Sequence, residues 1–359
     1  MISVFDDGAG TQMAVAFCGP GTLDLMLRIG RVEIRNPVVI APMSGITDRP
    51  FRRMAAEMGA GLLCTEMASA IALVRQGAQT CELTRVWPDE HPISVQLMGR
   101  EPASMAEAAR MVVAEGADIV DVNMGCPVDK VAKKTCAGAG LARDIPLATE
   151  VAAAMVAAVN PVPVTVKMRL GWDDSTRNCV DLARSLESAG VAAVAVHGRT
   201  RVQGYTGLAD WDDIAAVKAA VEIPVFGSGD IRTAIDAHRR MDQTGCDGVL
   251  LARGMMGNPW LIRQASALIE RGEVVPDLGW TAHVALVRRL VDYVIDHYGE
   301  ARGVKLARKY VSWAVRGCPG AARMRDAVQY LNSADDVGQF WRQLEDLGIA
   351  ADEPVAIAS

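Results

Sequence analysis

Eight short, β-branched runs separated by longer alanine-rich stretches of helical period constrain this chain more than any other feature. They lie at Val38 to Ala41, Leu62 to Thr65, Ile93 to Leu97, Ile119 to Asn123, Val164 to Arg169, Ala193 to His197, Val225 to Gly227 and Gly248 to Ala252. Their starts are roughly 25 to 45 residues apart, the spacing of βα units, and their near-continuous apolar character suits parallel strands covered by helices. An open doubly wound sheet and a closed (β/α)8 barrel read alike at this level. The strand ends separate them. Seven of the eight finish in or just before a polar or Gly/Pro signal: Pro42-Met43, Glu66, Gln96, Asn123-Met124-Gly125-Cys126, Lys167, His197 and Gly227-Ser228-Gly229-Asp230. In a barrel all of these converge on the C-terminal mouth, where active sites are built, so an α/β fold of the TIM-barrel type is expected.

The chain has 359 residues, more than the roughly 250 typical of such a barrel, and its pattern changes after Trp260. A polar joint, Arg271-Gly272-Glu273-Val274-Val275-Pro276-Asp277, precedes amphipathic stretches at 281–298, 303–316 and 334–346, which read as an all-helical bundle. The expected division is a leader over 1–27, a barrel over 28–265 and a helical unit over 275–350. The leader carries Asp6, Asp7 and Asp24 and has no Lys or Arg before Arg28, unlike a secretory or transit signal. The longest purely apolar stretch, Val151 to Val159, is less than half of the roughly 20 residues needed to cross a bilayer.

Eight cysteines without a Cys-x-x-Cys pair argue against a zinc site and a disulfide framework, and for a reducing cytoplasm. No metal is expected, and the protein is expected to be a monomer. A net charge of −6 disfavours a general nucleic-acid binder, because phosphate affinity comes from Lys and Arg. Any RNA contact must be a local patch.

The corner after the last two strands has the composition of a phosphate site. Ser228, Gly229 and Asp230 follow one strand, and Ala252, Arg253 and Gly254 the next. Small residues let backbone N–H groups approach phosphate oxygens, and a following helix N-terminus adds its positive end. Two tight turns would use the same glycines; Arg253 favours phosphate. Lys167 and His197, at the ends of adjacent strands, can then face one ligand in the mouth. A cation beside the N1/C2 carbonyl edge of a flavin stabilises the reduced anionic ring, and Gln96 can hydrogen-bond the same edge.

Asn123-Met124-Gly125-Cys126-Pro127 leads into a long loop, 128–142, that holds Lys130, Lys133 and Lys134 and suits a mobile catalytic loop. A thiol with an ordinary pKa of about 8.5 is mostly protonated at neutral pH, so Cys126 can donate a proton rather than act as a nucleophile. Cys136, on the same loop, ranks second for that role: no Asn precedes it and no Pro fixes its backbone.

Ala41 to Arg52, Asn123 to Pro127, Val166-Lys167-Met168-Arg169-Leu170-Gly171 and Val196-His197-Gly198-Arg199-Thr200 together resemble the tRNA-dihydrouridine synthases, in the same order from about Arg28 to about Phe340. Within that family the likeness is to the bacterial B-type branch. The resemblance implies FMN held by Pro42, Met43, Ser44, Gln96, Lys167, His197, Ser228, Gly229, Asp230, Ala252 and Arg253, with Cys126 as proton donor and Asn123 and Arg169 on the substrate side. It implies reduction of the uridine C5=C6 bond in tRNA, in which NADPH reduces the flavin, flavin N5 gives hydride to C6, and the cysteine protonates C5. Such a uridine must leave its stack to enter the mouth, which is easiest in unpaired loops. No Gly-x-Gly-x-x-Gly follows a strand, in keeping with an NADPH that visits transiently in a ping-pong cycle. Two segments depart from the family pattern: Ser228-Gly229-Asp230 stands where Asn-Gly-Asp is usual, and Gly138-Ala139-Gly140-Leu141-Ala142 where Gly-Ala/Ser-x-Leu-Leu is usual.

Residues 301–325 carry Arg302, Lys305, Arg308, Lys309, Arg316, Arg323 and Arg325 and no acidic side chain, the local patch an acidic RNA enzyme needs. Lys305, Arg308 and Lys309 fall at helical i, i+3, i+4 positions and are expected to face tRNA, while Leu306, Tyr310 and Trp313 form an apolar stripe that packs inward. Two rivals share the barrel. One is a flavin enzyme acting on a free pyrimidine or small enone, against which the basic helices speak. The other is a non-catalytic RNA-binding regulator, against which the set Cys126, Lys167 and His197 speaks.

Overall fold

A computed structural model describes residues 27–315 and 320–346; most of the expected leader, and Arg316, lie outside the described residues. The first strands, β1 (Leu27–Ile29) and β2 (Val32–Ile34), pair as an antiparallel hairpin that is too short to show a period in the sequence. After them come β3 (Val38–Ile40), β4 (Leu63–Cys64), β5 (Ala68–Ser69), β6 (Ile93–Met98), β7 (Ile119–Met124), β8 (Val164–Arg169), β9 (Ala193–His197), β10 (Val225–Ser228) and β11 (Gly248–Leu251). Parallel pairing runs β3-β11-β10-β9-β8-β7-β6-β4, and the ring closes through the parallel Val39–Leu62 bridge, where Ile40 N donates to Leu62 O at 3.2 Å. This is the expected eight-stranded barrel, with β5 a short extension on β6.

Helices α1 (Arg49–Glu57), α2 (Ala70–Val74), α3 (Ala78–Thr84), α4 (Pro102–Ala114), α5 (Ile145–Val159), α6 (Cys179–Ser188), α7 (Asp212–Ala220), α8 (Ala234–Thr244) and α9 (Trp260–Arg271) fill the connections. Successive strand residues point to opposite faces. In β6 to β9 the fully buried Val95, Leu97, Val120, Val122, Val166, Val194 and Val196 alternate with Gln96, Asp121, Asn123, Thr165, Lys167, Arg169 and His197, which line cavities along the barrel axis. Register then sets Gln96 beside Asp121, Asn123 beside Lys167, and Arg169 and Ser228 each beside His197. The strands read as apolar in sequence because the outward half is uniformly so; the inward half carries the chemistry.

The helical region consists of α10 (Trp280–Tyr298), α11 (Glu300–Ala314), α12 (Ala321–Val328) and α13 (Ala334–Glu345). α10 and α11 pack side by side, and Gly303 permits it: a Cβ there would stand 2.7 Å from Ile295 Cα. Only Val328 of α12 is buried, so its period is invisible in the sequence. One apolar core runs from the barrel into these helices through Leu290, Val294, Tyr310 and Trp341, and Tyr293 and Arg289 on α10 both reach Glu57 on α1. No helix is long and apolar enough to cross a membrane among the described residues.

His283 on α10 is buried, its Nε2 lacks a partner among the described residues, and burial pulls its pKa down to about 4. An unfolded histidine takes a proton near pH ~6.5, and the folded one resists it. Stability should therefore fall as pH drops from about 6.5 to about 4, by on the order of 3 kcal/mol from this group. Urea midpoints at pH 7 and 4.5 should diverge less for His283→Gln than for wild type; equal divergence would remove His283 as the cause.

Candidate active site

A cavity of about 790 Å³ opens at the C-terminal mouth of the barrel. Its wall collects Pro42, Met43 and Ser44 after β3, Gln96 from β6, Asn123 and Cys126 at the end of β7, Lys167 and Arg169 from β8, His197 from β9, Ser228, Gly229 and Asp230 after β10, and Ala252 and Arg253 after β11. Every site residue expected within the barrel thus borders one space. In the ring of eight strands β7 and β11 are four steps apart, so Cys126 and the Arg253 corner stand across the mouth from one another.

The floor of this cavity is polar and buried. Gln96 Nε2 donates to Asp121 Oδ2 at 2.6 Å, Thr165 Oγ1 donates to Asp121 Oδ1 at 2.6 Å, and Asn123 Nδ2 donates to Gln96 Oε1 at 2.7 Å. Burial raises the Asp121 carboxyl to about 6. Burial, with Arg169 nearby, lowers the Lys167 ammonium to about 8, which leaves it a cation at neutral pH. The Lys167 ammonium makes no hydrogen bond to another side chain or carbonyl among the described residues. His197 is held neutral by burial and by the surrounding charges of Lys167, Arg169, Arg199 and Arg253. Arg199 Nη1 lies 3.3 Å from His197 Nε2; a guanidinium only donates, so Nε2 accepts and Nδ1 carries the ring hydrogen.

Cys126 is half-buried in the cavity wall, and Asn123 Oδ1 accepts from both Gly125 N at 3.1 Å and Cys126 N at 2.9 Å. The loop that follows is tied down rather than open. Lys130–Lys134 forms a π turn and Gly138–Arg143 a 3-10 helix, Ala139 N donates to Cys126 O, and Arg201 donates to Pro127 O and pairs with Asp129. Cys136 is exposed, with its sulfur 3.6 Å from Lys133 O, and does not line the cavity. Gly138 has φ +56°, and a Cβ there would sit 3.0 Å from Cys126 Cβ. Gly138→Ala should therefore cost about 1–3 kcal/mol, seen as a lower thermal midpoint; an unchanged midpoint would show that the loop gives way without strain.

Two expected ligand contacts have other partners. Arg199 Nη2 donates to both oxygens of Asp230 at 2.7 Å, and Ala209 N donates to Oδ2 at 2.7 Å, so Asp230 faces the protein more than the cavity. Arg199 is itself buried and also donates to Thr206 O and Gly207 O. Arg169 donates to Gly125 O at 2.7 Å, Thr200 O at 2.9 Å and Gly204 O at 2.8 Å; it ties the Cys126 loop to the loop after β9. Tyr205, exposed on that second loop, has its ring 4.9 Å from the Arg253 guanidinium and 5.4 Å from that of Arg169. Sequence reasoning assigned neither Arg199 nor Tyr205 a role, although Arg199 lies in the Val196 to Thr200 run.

The basic helix also divides. Lys305 is exposed, as expected. Arg308 instead donates to Leu331 O at 2.7 Å and Asn332 Oδ1 at 3.0 Å, and Lys309 donates to Gly45 O in the loop that holds Pro42, Met43 and Ser44. Both cations serve as ties between elements. Arg323 and Arg325 on α12 are exposed. Tyr310 and Trp313 are buried and Leu306 is half-buried, the inward stripe the period predicts.

The dihydrouridine synthase (Dus) family model matches residues 39–348. A tRNA-dihydrouridine synthase B of Pseudomonas aeruginosa is 41% identical over 340 residues, covering 91% of this chain and 99% of that protein. A probable tRNA-dihydrouridine synthase of Rickettsia conorii is 41% identical over 308 residues, covering 86% and 92%. Among solved structures, morphinone reductase in complex with tetrahydroNAD matches with a TM-score of 0.52 and 18% identity over 70% of this chain and 92% of that one, a likeness of fold.

Proposed function

From the chain's membership of the dihydrouridine synthase family, we propose that it reduces specific uridines of tRNA to 5,6-dihydrouridine in the cytoplasm, with FMN as resident cofactor and NADPH as reductant. The observation that carries this reading is one cavity whose wall brings a half-buried lysine ammonium, a phosphate-type corner and a thiol together.

The residues present fit FMN. Lys167 and the second amide hydrogen of Gln96 suit the polar edge of the ring, His197 offers Nδ1–H, and Arg253 with the small residues Gly229 and Gly254 suits the phosphate. Gly254 cannot be replaced without rebuilding, because a Cβ would meet Ile231 O at 2.3 Å. When bound, the flavin supplies to C6 of the uracil the hydride it has taken from NADPH. Cys126 holds at Sγ the proton that goes to C5, and afterwards recovers one from solvent. Lys167 stabilises negative charge at the ring edge from within a dry site, where a fixed cation acts strongly. Tyr205 provides an exposed aromatic face for a base that has left its stack.

Lys305, Arg323 and Arg325 are exposed cations suited to the RNA backbone, with Arg308 and Lys309 holding α11 in place. Reversing the charge of those three should weaken tRNA binding and reduce its salt slope by about one unit per lost phosphate contact, with NADPH oxidation unchanged. An unchanged slope would put the RNA on another face. The function itself is tested by mass spectrometry of tRNA from a strain lacking this protein. Dihydrouridine should vanish from particular positions and return on complementation; tRNA that is unaltered would sink the proposal.

A further inference from the structure

Below the mouth lies a second, smaller cavity of about 40 Å³, bordered by Asp121, Thr165, Lys167, Ser94 and Cys64. Lys167 belongs to both cavities, whereas Asp121 lines only the lower one and touches neither the Arg253 corner nor the thiol. An unbroken row of side-chain bonds nevertheless joins Asp121 to the thiol-bearing loop. Asp121 Oδ2 accepts from Gln96 Nε2, Gln96 Oε1 accepts from Asn123 Nδ2, and Asn123 Oδ1 accepts from the N–H groups of Gly125 and Cys126. Each carboxamide in the row has an acceptor end and a donor end, and the two must turn the same way. At one end the row meets backbone N–H groups, which can only donate. At the other it meets a carboxylate, which when ionised can only accept.

We propose that Asp121 is a positioning residue for Cys126, its carboxylate fixing the orientation of Gln96 and through it of Asn123, so that Asn123 Oδ1 holds the Gly125–Cys126 turn against the cavity. The significance of that positioning rests on Cys126 being the proton donor; the coupling itself does not. Among the described residues the other oxygen of Asp121 accepts only from Thr165, which lies outside the row. That asymmetry separates positioning from general support: removing Thr165's hydroxyl perturbs the same carboxylate without breaking the row.

The test is the rate at which iodoacetamide alkylates each cysteine of the FMN-loaded full-length protein, resolved by peptide mass mapping without substrate or NADPH. Cys81 and Cys136, both exposed, are internal references. Asp121→Leu removes the acceptor, so Gln96 and Asn123 lose their fixed orientation and the Cys126 turn opens. Alkylation of Cys126 should rise by about tenfold, as for loss of one to two backbone anchors, with Cys81 and Cys136 unchanged. Thr165→Val should leave all three at wild-type rates. A folded Asp121→Leu protein with an unchanged Cys126 rate, or a Thr165→Val protein shifted as far, would overturn the proposal. Should Asp121→Leu fail to fold, Asp121→Asn decides: a rise of about threefold in the Cys126 rate is expected from loss of the charged acceptor, and none would refute it. A shifted rate in a protein that never reduces uridine would count against the proposed function and leave the coupling standing.

Discussion

Cys126→Ala should leave flavin reduction by NADPH at the wild-type rate while slowing dihydrouridine formation by roughly 100-fold or more, the scale of a lost general acid. The two half-reactions part because only the second needs a proton delivered to carbon. Of the two loop thiols Cys126 alone lines the cavity, and it stands across the barrel from the Arg253 corner. Cys136→Ala should be near wild type in both half-reactions, since that sulfur is exposed and turned toward Lys133 O. Rapid-mixing absorbance for the first half-reaction and product analysis for the second make the comparison; a large defect in Cys136→Ala with none in Cys126→Ala would reverse the assignment.

Arg199→Met should be the most damaging single change to the mouth. Arg199 is buried, pairs with both oxygens of Asp230, and donates to Thr206 O, Gly207 O and His197 Nε2. Removing the guanidinium takes the donor from Thr206 O and Gly207 O and leaves the half-buried Asp230 with Ala209 N and Arg253, 3.8 Å away, at about 1–3 kcal/mol. Asp230 has φ +50° and Gly229 φ +130°, a turn that needs this anchoring to persist. The expected result is a lower thermal midpoint together with poor retention of FMN on gel filtration. Wild-type stability with full FMN retention would show that the Asp230 turn is held by other contacts.

The barrel was legible because its outward strand faces are uniformly apolar and each strand ends in a distinctive polar residue. The same pattern hid Asp121 and Thr165: an inward polar residue inside a β-branched run carries no signal of its own until register sets Asp121 between Gln96 and Thr165. Helical spacing brought Lys305, Arg308 and Lys309 to one face, and Tyr310 and Trp313 to another. It could not reveal that Arg308 and Lys309 bond to carbonyls 23 and 264 residues away in sequence, at Leu331 and Gly45, because such partners depend on how the elements cross. Tyr205 escaped for a related reason, as a loop tyrosine becomes part of a site only when the loop's path brings it beside Arg169 and Arg253.

Single-turnover oxidation tests the central claim most directly. Protein reduced with NADPH, freed of excess nucleotide and mixed anaerobically with unmodified tRNA should regain its flavin absorbance near ~450 nm as dihydrouridine appears, and free uridine at the same concentration should leave it reduced. Recovery of the absorbance with free uridine or a small enone, but neither recovery nor dihydrouridine with tRNA, would contradict the account.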